Sequence, residues 1–254
     1  MTCSDAEFSA SVRRTFQLAE RIAPEVGDGV VPVWRDNRDG GRTLIGTAFF
    51  VERGQRSFLV TALHNFTNNA GAILKIEFLG MVWTLNEMSR RTSLADDLWV
   101  AEADADLQQR LRAINVPLLK RDDPRSCQFG TGTVLMGYPE DLSLPGAPFK
   151  PLAISTTLDL RSGLITTSSL PEPIIYNVAD DFLSTVEGLS VMHRPDIFGM
   201  SGGPAFSWFC TDVPGSNKAA LHYFLQGMIV SWQRRKGYVV ACNAARIAAL
   251  IAAH

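Results

Sequence analysis

Eleven short runs rich in β-branched and aromatic residues, from TLIGTAFFV at Thr43 to GYVVAC at Gly237, dominate the middle of this chain, each broken off by turn-forming residues. Runs of that length, closed by Gly, Pro, Asn or Asp, read as strands, and so many in succession specify an all-β sandwich or barrel. Three stretches depart from the pattern. Near the start, a Ser4/Glu7 capping box leads into Phe8, Val12, Phe16 and Ala19 at helical spacing, which predicts a helix over 4–22 stopped by Pro24. DADLQQRLRAI, from Asp104 to Ile114, predicts a short helix, and NAARIAALIAAH predicts another at the C-terminal side. About eleven strands between two terminal helices fit two packed antiparallel six-stranded β-barrels. The expected division is a helical lead-in over 1–29, a first barrel over 30–115 and a second barrel over 116–254.

Charge and cysteine usage narrow the partners. A net charge of −2 over 254 residues offers no broad basic surface, so neither nucleic acid nor an anionic membrane is expected as a partner. Cys3, Cys127, Cys210 and Cys242 form no CxxC pair, and the methionines are dispersed. Neither a zinc site, a redox motif nor a copper site is indicated, and no cofactor or metal is expected. The cysteines read as free and mostly buried thiols in a reducing compartment. The first residues lack a basic start and an apolar core, and no run reaches the ~20 apolar residues of a membrane span, so a soluble cytoplasmic protein is expected.

The chemistry centres on IFGMSGGPAF, Ile197 to Phe206, where Ser201 stands among three glycines and a proline. By itself this is a passive turn or a nucleophile whose neighbours are kept bare. A catalytic serine needs a base and a carboxylate that orients the base. Four histidines exist: His64 ends the apolar run SFLVTAL, whereas His193, His222 and His254 occupy less distinctive settings. For the acid, ADDLWVAEAD offers Asp97 at the mouth of an apolar strand, with Asp96 as its rival. GxSxG also matches the nucleophile elbow of α/β-hydrolases, but that fold places its acid and histidine after the serine and alternates strands with long helices. Beyond Ser201 stand only Asp212, His222 and His254, and the order found here is His, Asp, Ser.

In that order the chain resembles the chymotrypsin/trypsin-like serine peptidases. GTAFFVERGQRSFLVTALHNF is similar to the family's hairpin that ends in Thr-Ala-x-His, DDLWVA to its Asp-Leu-Ala strand, and GMSGGP to Gly-x-Ser-Gly-Gly-Pro. LQGMIVSWQ resembles the strand ending Val-Ser-Trp-Gly, and NAARIAALI the closing helix. The absence of a cysteine beside His64 makes it look like a bacterial-type intracellular member. The resemblance implies Ser201 as nucleophile, His64 as general base and Asp97 as orienting acid. It implies an oxyanion hole from the Gly199 and Ser201 N–H groups. A polypeptide substrate would lie along Ser231, Trp232 and Gln233, with Ser231 near the Asp97 carboxylate and Pro195 and Asp196 at the specificity pocket. Met200 stands where the secreted enzymes carry an aspartate that pairs with a cleaved N-terminus, so that mode of activation is not expected. Pro195 at the pocket base favours small or medium apolar side chains, and Asp196 reaching in for a basic one is the rival. Two other readings stay open: a catalytically silent barrel that binds a peptide or partner, and a peptidase idle until a regulatory protein orders its site.

Overall fold

In a computed structural model the chain is described over residues 22–114, 116–117, 132–142, 148–149, 151–158, 170–178, 197–212 and 219–253. The described residues are mostly β, with thirteen strands in two antiparallel sheets. The first sheet holds β1 (Val30–Asp36), β2 (Arg42–Arg53), β3 (Arg56–Ala62), β4 (Lys75–Phe78), β5 (Met81–Thr84), β6 (Arg90–Ser93) and β7 (Leu98–Glu102). Its order is β5-β4-β1-β2-β3-β7-β6, so seven strands stand where six were expected and the described pairings leave β5 and β6 as edges. The second sheet holds β8 (Gly132–Gly137), β9 (Leu152–Leu158), β10 (Ile174–Asn177), β11 (Pro204–Asp212), β12 (Ala219–Gln233) and β13 (Tyr238–Asn243). Its order is β10-β13-β12-β11-β8-β9, and β9 returns to β10 through Tyr176↔Leu158 and Asn177↔Thr157.

The central strands β2, β3 and β7 of the first sheet read as unbroken apolar runs because both of their faces are buried. Ala48, Phe50, Leu59, Trp99 and Ala101 point into a core of the first sheet's own. Their neighbours Phe49, Val51, Val60, Leu98 and Val100 point the other way, onto Met136, Phe206 and Met228 of the second sheet and Ile247 and Ile251 of the C-terminal helix. Leu135, Ile154, Tyr176, Ile229 and Val239 fill the interior of the second sheet.

Two helices lie close to their expected places. Ala105–Leu111 is capped by Asp104, whose side chain accepts the Leu107 N–H at 2.8 Å, and Ala244–Ala252 is capped by Asn243, which accepts the Ala245 N–H at 2.9 Å. The helix expected over 4–22 lies outside the described residues apart from Ile22. Residues 22–26 are helical, so Pro24 lies within helical backbone and not beyond its end. Ile22, Ala23 and Val26 are each at most 1% exposed, and that burial outweighs the lost proline N–H. Among the described residues, no helix is long and apolar enough to cross a membrane.

Candidate active site

Strands β3 and β7 pair from Phe58↔Glu102 to Ala62↔Leu98, and that register decides which side chains meet at the open end. The next pair outward is Leu63 and Asp97, joined by the Leu63 N–H to the Asp97 carbonyl at 2.9 Å. The chain then turns into a single helical turn, His64–Thr67. The His64 N–H donates to Asp97 Oδ1 at 2.9 Å, and His64 Nδ1 lies 2.5 Å from Asp97 Oδ2. One carboxylate therefore grips both the backbone and the ring of His64. Asp97 has φ +52°, a left-handed conformation that costs an ordinary residue about 1–2 kcal/mol and that aspartate tolerates better than most. Its bonds to His64 hold it there. The bulk of Trp99 goes into the first sheet's core, where it is fully buried and stacks on Phe66 with ring centroids 4.9 Å apart.

Asp96 faces the other way. It is 5% exposed and accepts from Arg246 Nε at 2.7 Å, Arg246 Nη2 at 3.1 Å and Ser93 Oγ at 2.6 Å. Burial disfavours its charge, but Arg246 and Ser93 more than offset this and hold its carboxyl below the ordinary value. Of the two adjacent acids, Asp97 is the one that reaches His64.

The serine sits after a tight turn. The Met200 N–H closes onto the Ile197 carbonyl at 3.1 Å with Gly199 at φ +92°, the sign a type II turn requires at its third position. A Cβ on Gly199 would lie 2.5 Å from the Tyr138 carbonyl, and one on Gly202, at φ +90°, would lie 2.1 Å from the Thr47 carbonyl. The Phe198 carbonyl accepts the Glu140 N–H at 2.7 Å. Because the peptide is trans and planar, this aims the Gly199 N–H the opposite way. Among the described residues, neither the Gly199 nor the Ser201 N–H has a hydrogen-bond acceptor. Met200 is fully buried in the second sheet's apolar interior.

His64, Asp97, Gly199, Ser201, Ser231, Trp232 and Gln233 all line one cleft of about 710 Å³. Ser201 Oγ donates to the Val230 carbonyl at 3.2 Å, and among the described residues no hydrogen bond joins it to His64. Nor does one join Ser231 to Asp97. Beside the cleft, β11 pairs with β12 only as far as Met228, while Ser231, Trp232 and Gln233 pair with Val240, Val239 and Tyr238 of β13. Pro195, Asp196 and His193 lie outside the described residues, as do Cys3 and Cys127. Cys242 is a free, buried thiol. Among the described residues no group of three His, Cys, Asp or Glu side chains is placed to hold a metal ion.

Three groups at the site were not singled out from the sequence. Thr47 is fully buried; its N–H donates to the Ser201 carbonyl at 2.8 Å and its hydroxyl to the Gly199 carbonyl at 2.8 Å. Asn65 Nδ2 donates to Thr61 Oγ1 at 3.0 Å and to the Ser201 carbonyl at 3.3 Å. The Val230 carbonyl is the third. The first two stand inside GTAFF and ALHNF, but a threonine or asparagine in a strand or at its end carries no signal of a partner more than a hundred residues away.

No protein-family model matches the chain, and neither does any protein of curated function. A solved structure described as "Aromatic interactions drive the coupled folding and binding of the intrinsically disordered Sesbania mosaic virus VPg protein" is similar at TM-score 0.48 and 12% identity. The match covers 87% of this chain and 89% of that one.

Proposed function

We propose that this chain is a serine endopeptidase with the two-barrel chymotrypsin-like architecture, hydrolysing peptide bonds through an acyl-enzyme on Ser201. The His64–Asp97 pair, opening into the same cleft as Ser201, is the observation that carries the reading. Asp97 fixes His64 Nδ1 as the protonated nitrogen and leaves Nε2 to accept the Ser201 proton. Attack on the substrate carbonyl forms a tetrahedral oxyanion, and the Gly199 and Ser201 N–H groups are the donors for it. His64 returns the proton to the leaving amine. Water, deprotonated by the same imidazole, then releases the acyl group. An extended polypeptide adds along Ser231–Gln233 as a further strand. A cytoplasmic setting belongs to this reading.

The Ser201 bond to the Val230 carbonyl favours a second reading. Before attack the hydroxyl rotates about χ1 to His64, and a substrate or a regulatory protein that occupies the cleft is what favours the rotated state. Catalytic hydrogen bonds are commonly loose before substrate binds.

A fluorophosphonate probe tests the proposal. Labelling of Ser201 is expected in the wild type, none in Ser201→Ala, and labelling about 10²–10⁴-fold slower in His64→Ala. A folded wild-type protein that stays unlabelled, yet binds extended peptides as tightly as Ser201→Ala does, is instead a silent binding barrel. Labelling that appears only on addition of a protein partner selects the second reading.

A further inference from the structure

We propose that Thr47 is the positioning residue that sets the oxyanion turn, in place of an ion pair made by the residue before the nucleophile; this rests on the serine peptidase reading. That neighbour is Met200, which is apolar and fully buried and has no charge to anchor. The turn must be held by something else. Type I and type II turns differ by a flip of the central peptide, here Phe198–Gly199. Only the orientation found here points the Gly199 N–H away from Glu140; the flipped one turns that N–H out of reach of a substrate oxygen.

Thr47 grips the loop at two points two residues apart. Its backbone N–H donates to the Ser201 carbonyl at 2.8 Å, and its hydroxyl donates to the Gly199 carbonyl at 2.8 Å. The same hydroxyl oxygen accepts the Tyr138 N–H at 2.9 Å, and the Thr47 carbonyl accepts the Thr61 hydroxyl at 2.6 Å. The hydroxyl thus makes both a donated and an accepted bond at a site with no exposure to water. Its donor direction is fixed, because the Tyr138 N–H can only donate and so occupies an oxygen lone pair. Glu140 holds one carbonyl of the turn and Thr47 the next. With both fixed, φ at Gly199 stays positive and the flip is blocked. The backbone bond from Thr47 survives any substitution at this position; the hydroxyl bond does not.

Thr47→Ser and Thr47→Ala form the decisive pair, since they differ by one oxygen atom. Hydrolysis of a peptide ester, inhibition by a peptide aldehyde and backbone amide exchange are measured for both. Thr47→Ser is expected within about threefold of wild type. Thr47→Ala is expected to lose about 10²–10³-fold in kcat and in aldehyde affinity, the range for one oxyanion donor, with KM changed far less. Amide exchange of Met200, Gly202 and Gly203 is expected to quicken in Thr47→Ala alone. Equal kcat, aldehyde affinity and exchange for the two variants overturns the proposal. If the wild type neither hydrolyses nor labels, the peptidase reading fails by itself, and the exchange difference still decides whether the Thr47 hydroxyl holds the turn. If Thr47→Ala does not fold, Thr47→Val replaces it in the same comparison.

Discussion

Two adjacent aspartates in one tight turn are spent on different tasks. Asp97 turns to His64, while Asp96 turns to Arg246 and Ser93 and anchors the same piece of backbone from behind. Their duties predict different mutant behaviour. Asp96 has a lowered pKa in the folded protein, so the folded state binds its proton less readily than the unfolded chain does. Its stabilising contribution is therefore complete above the unfolded-state value near 4 and is lost as pH falls through the lower folded-state value. Asp96→Asn is expected to lower the urea midpoint at neutral pH, with the gap from wild type closing in acid below pH ~4. A gap independent of pH would show that the charge of Asp96 contributes nothing. At this scale the sequence favoured Asp97 over Asp96 only through its place at the mouth of the strand: LADDLWV contains both acids, and the left-handed backbone at Asp97, which no residue type announces, separates where they point.

Strand register, more than any single side chain, brings His64 to Asp97. Because Ala62 faces Leu98, the residues one step beyond that pair meet without a long loop, and the stack of Phe66 on Trp99 ties the helical turn carrying His64 to β7. Trp99→Ala is expected to cost about 3–5 kcal/mol in chemical unfolding and to slow any Ser201 labelling in the surviving folded protein. A loss under 1 kcal/mol would mean that the stack is incidental. All eleven apolar runs became strands; β2, β3 and β7, buried on both faces, announce themselves by composition, whereas β5 is marked by its β-branched and aromatic residues although Met81 and Val82 are exposed. Two strands did not announce themselves. β1 contains Pro32, a residue that argues against a strand, yet it pairs with Thr47 of β2. β6 is the charged segment RRTS at the edge of its sheet, with no apolar face to read. The four-residue turn at His64 is too short for any periodicity to mark it.

Across the whole molecule, the C-terminal helix follows the second sheet in sequence and packs against both sheets, with its side-chain and carbonyl hydrogen bonds reaching back to the first. Arg53 Nη1 donates to the Ala248 carbonyl at 2.7 Å, Arg91 Nη1 to the Leu250 carbonyl at 3.2 Å, and Arg246 pairs with Asp96. Ile247 and Ile251 fill the core that both sheets share. Cys242 lies in that core, its thiol pushed up to about 12 chiefly by burial, with the Asp96 and Asp97 carboxylates adding to the shift. It is therefore expected to resist iodoacetamide at mildly alkaline pH while the sheets stay packed, and to react once concentrated urea separates them. Peptide mapping of the alkylated protein reads this directly, and rapid alkylation without denaturant would contradict the packing. The helix itself was legible from its alanine-rich composition. Its contacts with the first sheet were not, because an arginine in a strand has no local reason to seek a helix carbonyl 159 or 195 positions away.

The bond from Thr47 to Gly199 spans 152 positions of sequence and the one from Arg53 to Ala248 spans 195. Synthesis runs in one direction, so a ribosome that has finished the whole first sheet has not yet made Ser201. During that interval His64 and Asp97 can pair, since their contact needs only β3 and β7, while the Thr47 hydroxyl stays hydrated with no loop to hold. The nascent chain carries the His64–Asp97 pair without Ser201. Even after Ser201 emerges, Ser231, Trp232 and Gln233 of the cleft wall and the helix that packs on both sheets are still to be made.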